Sequence, residues 1–159
     1  MKAKNFSQTR KIAISGLVMA IYISVMYFSQ GFAFGEYQIR IATALYSLSA
    51  LSPFLIIPLS LSNSISNMIM GGMGIFDILG GFIVGLVTSG SIYLMKKFNF
   101  NDWLLGIPII AGPGLIVPIW LSKIIHVSYP ILAASLCIGQ IIPAFVGIIL
   151  LKQLRNKIL

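Results

Sequence analysis

An all-α integral membrane bundle of six transmembrane helices is the fold the sequence predicts, and three observations predict it. Apolar residues make up 58% of the 159 and charged residues only 9%, whereas soluble domains carry roughly a quarter charged residues. Several apolar stretches approach or exceed the roughly 20 residues that cross the hydrocarbon core as a helix. Lys and Arg collect at the ends of those stretches, as they do in cytoplasmic loops. Mean hydropathy is +0.98. Six crossings of about 20 residues each leave little chain for anything else, so residues 1–159 read as a single transmembrane domain.

The first helix, about 11–29, follows Lys2, Lys4, Arg10 and Lys11, which puts the N-terminus in the cytoplasm. Its apolar run from Ile12 to Phe28 is too long for the h-region of a cleaved signal, so it reads as a retained helix. Residues 30–40 (QGFAFGEYQIR) then form a loop on the outer side.

The stretch 41–70 would reach about 45 Å as one helix, too long for an ordinary crossing. Pro53 and Pro58 interrupt it, and each removes a backbone donor and disfavours helix in the residue before it. Two helices are expected, about 41–52 and 54–70. Charge parity supports the division. Crossing twice puts Lys96, Lys97, Lys152, Arg155 and Lys157 on the side of the N-terminal four, which leaves only Arg40 and Lys123 of the 11 cations outside. Both termini are then cytoplasmic.

Gly71 to Gly74 makes an outer turn, and a fourth helix, about 75–95, returns to the cytoplasm. The fifth, about 103–122, carries Pro108, Pro113 and Pro118. Lys123 to Tyr129 forms another outer turn, and the sixth helix, about 130–151, has Pro143 inside it. No long-period repeat is present. Trp120, Tyr37, Tyr46 and Tyr129 are expected at the outer interface as an aromatic belt, with ligand stacking as the alternative.

Inventory excludes several functions. One His126, one Cys137 and three acids supply neither a His-Glu-x-x-His metal motif nor a nucleophile with base and orienter, so no catalytic residue, metal or cofactor is expected. No G-x-x-x-x-G-K-[ST] loop is present for ATP. The net charge of +8 reflects cytoplasmic loop ends and not nucleic-acid binding.

The polar residues that interrupt the apolar sequence are the candidates for function, because intramembrane ionisable groups are costly. Asp77 opens a helix, where a carboxylate either caps orphan amides or meets a ligand. Glu36, Gln38 and Arg40 either pair or line an entrance, or form a solvated loop. Asn63, Asn67 and Gln140 offer paired donors and acceptors, either for interhelical bonds or for a nucleobase-like or vitamin-like ligand. Ala13, Gly16, Ala20 and Ser24 stack small side chains along one face of the first helix, which marks close contact either inside the bundle or with a separate protein.

These features in this order, with FGEYQIRIATAL, SNSISNMIMGGMGIFDILGGFIVGL and CIGQIIPAFVGIILLKQLR, resemble the queuosine-precursor transporter family, QueT. Its members are predicted substrate-binding S components of energy-coupling factor (ECF) importers. The resemblance implies a bacterial cytoplasmic-membrane protein that captures a 7-deazaguanine from outside and docks, through Ala13, Gly16 and Ala20, on a transmembrane coupling protein driven by two cytoplasmic ATPases. The loop Gly31 to Arg40 would be the capture loop. Thr43 and Gln140 stand where the family commonly has acids, and Pro113 where it has an amide. Candidate ligand contacts are therefore Glu36, Tyr37, Gln38, Arg40, Thr43, Asn67, Asp77 and Gln140, with aromatic residues of the first loop covering the base. The competing readings are an S component for another vitamin-like nutrient, a self-sufficient secondary carrier and a non-transporting assembly protein.

Overall fold

The computed structural model describes residues 6–35, 37–71 and 73–158, and every regular element among them is helical. α1 (Gln8–Phe28) begins at Ser7, whose hydroxyl accepts from the Arg10 amide as an N-cap. A single turn, α2 (Gln30–Ala33), leads into the loop that precedes residue 41. A 3-10 helix follows over Ile41–Ala50. A short 3-10 turn over Pro53–Leu55 feeds α3 (Ile56–Ser66), which runs into a π-helical turn over Asn67–Gly71. α4 (Ile75–Lys97) comes next. A 3-10 turn over Asp102–Leu105 then leads to α5 (Gly106–Ile116), α6 (Pro118–Ile125), α7 (Tyr129–Gly139) and α8 (Ile141–Ile158).

Five of the resulting segments are long and apolar enough to cross a membrane: Gln8–Phe28, Pro53–Gly71, Ile75–Lys97, Asp102–Ile125 and Tyr129–Arg155. Ile41–Ala50 is a shorter apolar helix beside them. The helical membrane bundle expected from hydropathy is thus present, with one crossing built unexpectedly. At about 2.0 Å per residue a 3-10 helix covers two-thirds of a 30 Å core in ten residues, where an α-helix would cover half. All of it except Ile41 and Leu45 is buried. Its small residues permit that position, because Gly147 of α8 lies so close that a Cβ there would come within 2.8 Å of the Ala44 carbonyl.

The proline positions explain the remaining breaks. Ser52 is extended (φ −149, ψ 100), as a residue before proline prefers. Pro118 sits in the first turn of α6 and Pro113 inside α5. The last crossing, expected as one helix with Pro143 in its interior, divides at Gln140 instead. Pro143 has no amide to donate and crowds the carbonyl four residues back, which is Gly139.

The main core surrounds the 3-10 helix and includes Tyr22, Met26, Tyr46, Leu59, Ile92, Ile109 and Leu151. A second cluster, Val84, Val117, Leu121, Leu132 and Leu136, has Trp120 and Met73 packed against it. Tyr46 therefore corrects the aromatic-belt expectation. It is fully buried, and its hydroxyl lies 3.2 Å from that of Tyr22.

One end of the bundle gathers the cations. Phe6, ahead of α1, packs against Phe54 in the 3-10 turn that feeds α3, and Arg10 lies over the Phe6 ring. At the same end Asp102 pairs with Lys96 and with Arg155, each at 2.6 Å. Lys152 covers Trp103 with its ammonium 3.9 Å from the ring centre. Apart from the face that carries Val18, Tyr22 and Met26 into the core, α1 is largely unburied: only 17% of its apolar window is covered. Ala13, Gly16, Ala20 and Ser24 are all exposed, and nothing lies within 4 Å of a Cβ built on Gly16.

Candidate functional site

At the other end, the loop after α2 brings Arg40 to the top of the 3-10 helix. Arg40 is 3% exposed, and a guanidinium carries five N–H donors and no acceptor, so burying it requires acceptors. The fold supplies three. Its Nε donates to the Ala33 carbonyl at 3.3 Å, and its Nη1 donates to Asn63 Oδ1 at 3.2 Å and Asn67 Oδ1 at 3.0 Å. The Phe34 ring faces the guanidinium at 4.8 Å, a favourable cation–π geometry. No carboxylate pairs with Arg40 among the described residues.

Asn63 and Asn67 are four residues apart, one helical turn, and each uses both ends of its amide. While their oxygens accept from Arg40, Asn63 Nδ2 donates to the Gly81 carbonyl at 2.9 Å and Asn67 Nδ2 to the Asp77 carbonyl at 2.8 Å. They thereby lock α3 to α4 beneath the loop. Asn67 also opens the π-helical turn, a deviation frequent at functional sites.

A second network holds the loop from the other side. Gln140, at the break between α7 and α8, donates through Nε2 to the Gln38 carbonyl at 2.8 Å. Its Oε1 lies 2.7 Å from Thr43 Oγ1, which lies equally 2.7 Å from the Arg40 carbonyl. One hydroxyl proton serves two acceptors. Gln38 adopts φ 43, a left-handed conformation that non-glycine residues rarely take. Gly139 fits beneath the Tyr37 carbonyl, where any Cβ would clash. The two networks meet at Arg40, joining α2, the loop, α3, α4 and the α7–α8 break.

Asp77 lies next to this frame and is not absorbed by it. Gly74 is the N-cap of α4, in the conformation φ 79, ψ −166 that only glycine adopts readily. No side chain caps the helix, so the capping role open to Asp77 on sequence grounds is not taken up. The residue is 4% exposed, and its carboxylate has no hydrogen-bond or ion-pair partner among the described residues. It rests against Gly71, whose built Cβ would lie 2.7 Å from Oδ2. One turn further along α4, Gly80 carries the ring of Trp120. Among the described residues the buried Trp120 Nε1 has no acceptor, and the Ser66 hydroxyl, next to Asn67 in sequence, is buried without a partner too.

Arg40, Thr43, Asn67, Gln140 and the backbone of Gln38 are therefore joined in one network, with Asp77 against Asn67 through its carbonyl. Tyr37 contributes its backbone, while its side chain is 50% exposed. Glu36 lies outside the described residues. Asn63, weighed with Asn67 and Gln140 as an interhelical or ligand-binding amide, and Phe34, one of the first-loop aromatics expected over the base, belong to the frame through Arg40. Asn63 carried a signal in its one-turn spacing from Asn67, and Phe34 carried none beyond being a loop aromatic. Trp120 corrects the belt expectation in part, since its indole packs inward on Gly80.

Residues 12–156 match the QueT transporter family, and the chain belongs to that family. No curated protein and no solved structure matches it.

Proposed function

We propose, with membership of the QueT transporter family as the premise, that the chain is the substrate-capturing S component of an ECF importer and takes up a queuosine precursor or a related 7-deazaguanine. The observation that carries this reading is Asp77: a residue only 4% exposed whose carboxylate has no partner among the described residues, beside the Arg40–Asn67 frame. Burying a charge without a partner is costly, and such a group in a membrane protein is retained for a purpose. A 7-deazaguanine offers adjacent N–H donors, and a carboxylate accepts two hydrogen bonds side by side. Trp120 Nε1 and Ser66 Oγ supply the unused donors that a ring carbonyl requires. Thr43 and Gln140 are spent on each other and on the loop backbone, which gives them the role of holding the capture loop over the ligand.

The chain has no ATP-binding loop of the G-x-x-x-x-G-K-[ST] type, so uphill transport needs an energised partner. The outward-facing Ala13, Gly16 and Ala20 support docking of α1 on a transmembrane coupling protein that two cytoplasmic ATPases drive, because small residues let helix backbones approach closely. The cations gathered at one end support a cytoplasmic position for both termini.

Equilibrium binding of 7-deazaguanines to the purified protein tests the ligand, with Asp77→Asn as the variant. The expected result is a loss of affinity of about tenfold or more, from a charge-assisted bond worth roughly 1.5–3 kcal/mol. Unchanged affinity removes Asp77 from the site. Transport by the chain alone in liposomes would favour a self-sufficient carrier instead.

A further inference from the structure

We propose that the cationic end of the bundle carries a second binding site, for the head group of an anionic phospholipid. The site is a cleft of about 210 Å³ between the end of the 3-10 helix and the end of α4, many times the room a single water needs. Ala50, Leu51 and Pro53 form one wall, and Tyr93, Lys96, Lys97 and Asn99 form the other. It lies at the opposite end of the bundle from Arg40 and Asp77 and shares no residue with them.

Charge and donor bookkeeping point to an anion. Three cations, Lys96, Lys97 and Arg155, stand here against one carboxylate, Asp102, which already pairs with Lys96 and Arg155. Lys97 has no partner among the described residues, and neither has the Tyr93 hydroxyl. The cleft therefore offers an unmatched ammonium and a free hydroxyl donor, the combination that holds a phosphate oxygen.

The apolar half of the cleft distinguishes a lipid from a free ion. Ala50, Leu51 and Pro53 line it together with the lysines, and the sequence neighbours of Asn99, Phe98 and Phe100, are 70% and 46% exposed. A free phosphate would use only the polar wall. A phosphodiester with its glycerol and acyl chains uses both, the glycerol and first methylenes lying against Ala50, Leu51 and Pro53. Cations near an anionic leaflet also act at the depth where this end of the bundle meets the head groups.

Native mass spectrometry of the full chain, released from neutral detergent, tests the site with phosphatidylglycerol and phosphatidylcholine of identical acyl chains. Preferential retention of phosphatidylglycerol is expected. Lys97→Gln should weaken it about fivefold, the effect of one lysine at a charged interface, and Tyr93→Phe should weaken it further in combination. Lys123→Gln, at the other end of the bundle, should leave it unchanged. Equal retention of both lipids overturns the proposal, and so does an equal loss in Lys97→Gln and Lys123→Gln, which would reflect net charge alone. Displacement of the bound lipid by millimolar inorganic phosphate would assign the cleft to a free anion and overturn the lipid reading.

Discussion

Gly71→Ala separates ligand binding from folding at the Asp77 carboxylate. A Cβ at residue 71 would lie 2.7 Å from Asp77 Oδ2, while its other neighbours, Phe34 Cε1 at 3.4 Å and Asn67 Cβ at 3.5 Å, are at ordinary contact distance. Relief requires the carboxylate to move by roughly 0.7 Å, the gap between the two. The moving atom is the end of a side chain with no other partner among the described residues, so rotation about its last bond suffices and the backbone stays in place. Stability should change by less than about 1 kcal/mol, and the lost flexibility of glycine in the unfolded chain even favours the variant slightly. A ligand bonded to that carboxylate meets a displaced acceptor. A charge-assisted hydrogen bond is worth roughly 1.5–3 kcal/mol, so affinity for a 7-deazaguanine should fall about ten- to a hundredfold. Titration calorimetry in detergent, with a thermal melt of the same sample, measures both quantities. An affinity within twofold of wild type at an unchanged melting temperature would refute the placement of the ligand on Asp77.

Gly85→Ala should do the opposite, because its Cβ would lie 2.6 Å from Ser60 Cα. Backbone must yield there, α3 and α4 must part, and a loss of about 1–3 kcal/mol should lower the melting temperature of the ligand-free protein; an unchanged melt would show that the two helices are not in close contact. Asp102→Asn leaves Lys96 and Arg155 facing each other. At side-chain exposures of 15%, 32% and 8% for Lys96, Arg155 and Asp102, the cost should fall between the surface and buried limits, about 1–3 kcal/mol, and should shrink in high salt as screening grows. A salt-independent loss would contradict the electrostatic origin. Gly16→Leu should leave the isolated protein as stable as wild type, since nothing lies within 4 Å of the added Cβ, while abolishing co-purification of the ATPases. Intact co-purification would remove this face of α1 from docking.

The sequence was legible where a physical rule acts on composition alone. Hydropathy located the spans, prolines marked most of the breaks, and the segregation of Lys and Arg foretold the cationic end that Lys96, Asp102 and Arg155 now define. The 3-10 helix was not legible. IATALYSLSA satisfies helical patterning of either kind, and only its neighbours, with Gly147 against Ala44, decide for the thinner form. That choice also took Tyr46 away from the interface, since depth in the bilayer followed from the threading of the chain and not from residue type. Within the site, the polar residues stood out against an apolar background, so Arg40, Asn67, Asp77 and Gln140 could be picked. Their partners could not, because Gln140 reaches across about 100 residues to Gln38 and Thr43. The bare state of Asp77 is likewise a property of the fold, fixed by a glycine N-cap that leaves the carboxylate uninvolved.

The 3-10 helix has one more consequence, a mechanical one. Converting its ten residues to α-helix would shorten the element by about 5 Å and turn one end against the other by roughly half a revolution, from the difference in rise and in residues per turn. Arg40 and Thr43 stand at one end of this element and the wall of the lysine cleft at the other. Drawing in that thread would haul the guanidinium away from its two asparagines and tug the floor from under the loop that Gln140 holds. The segment so fully enclosed in the bundle thus also connects the two ends of the protein.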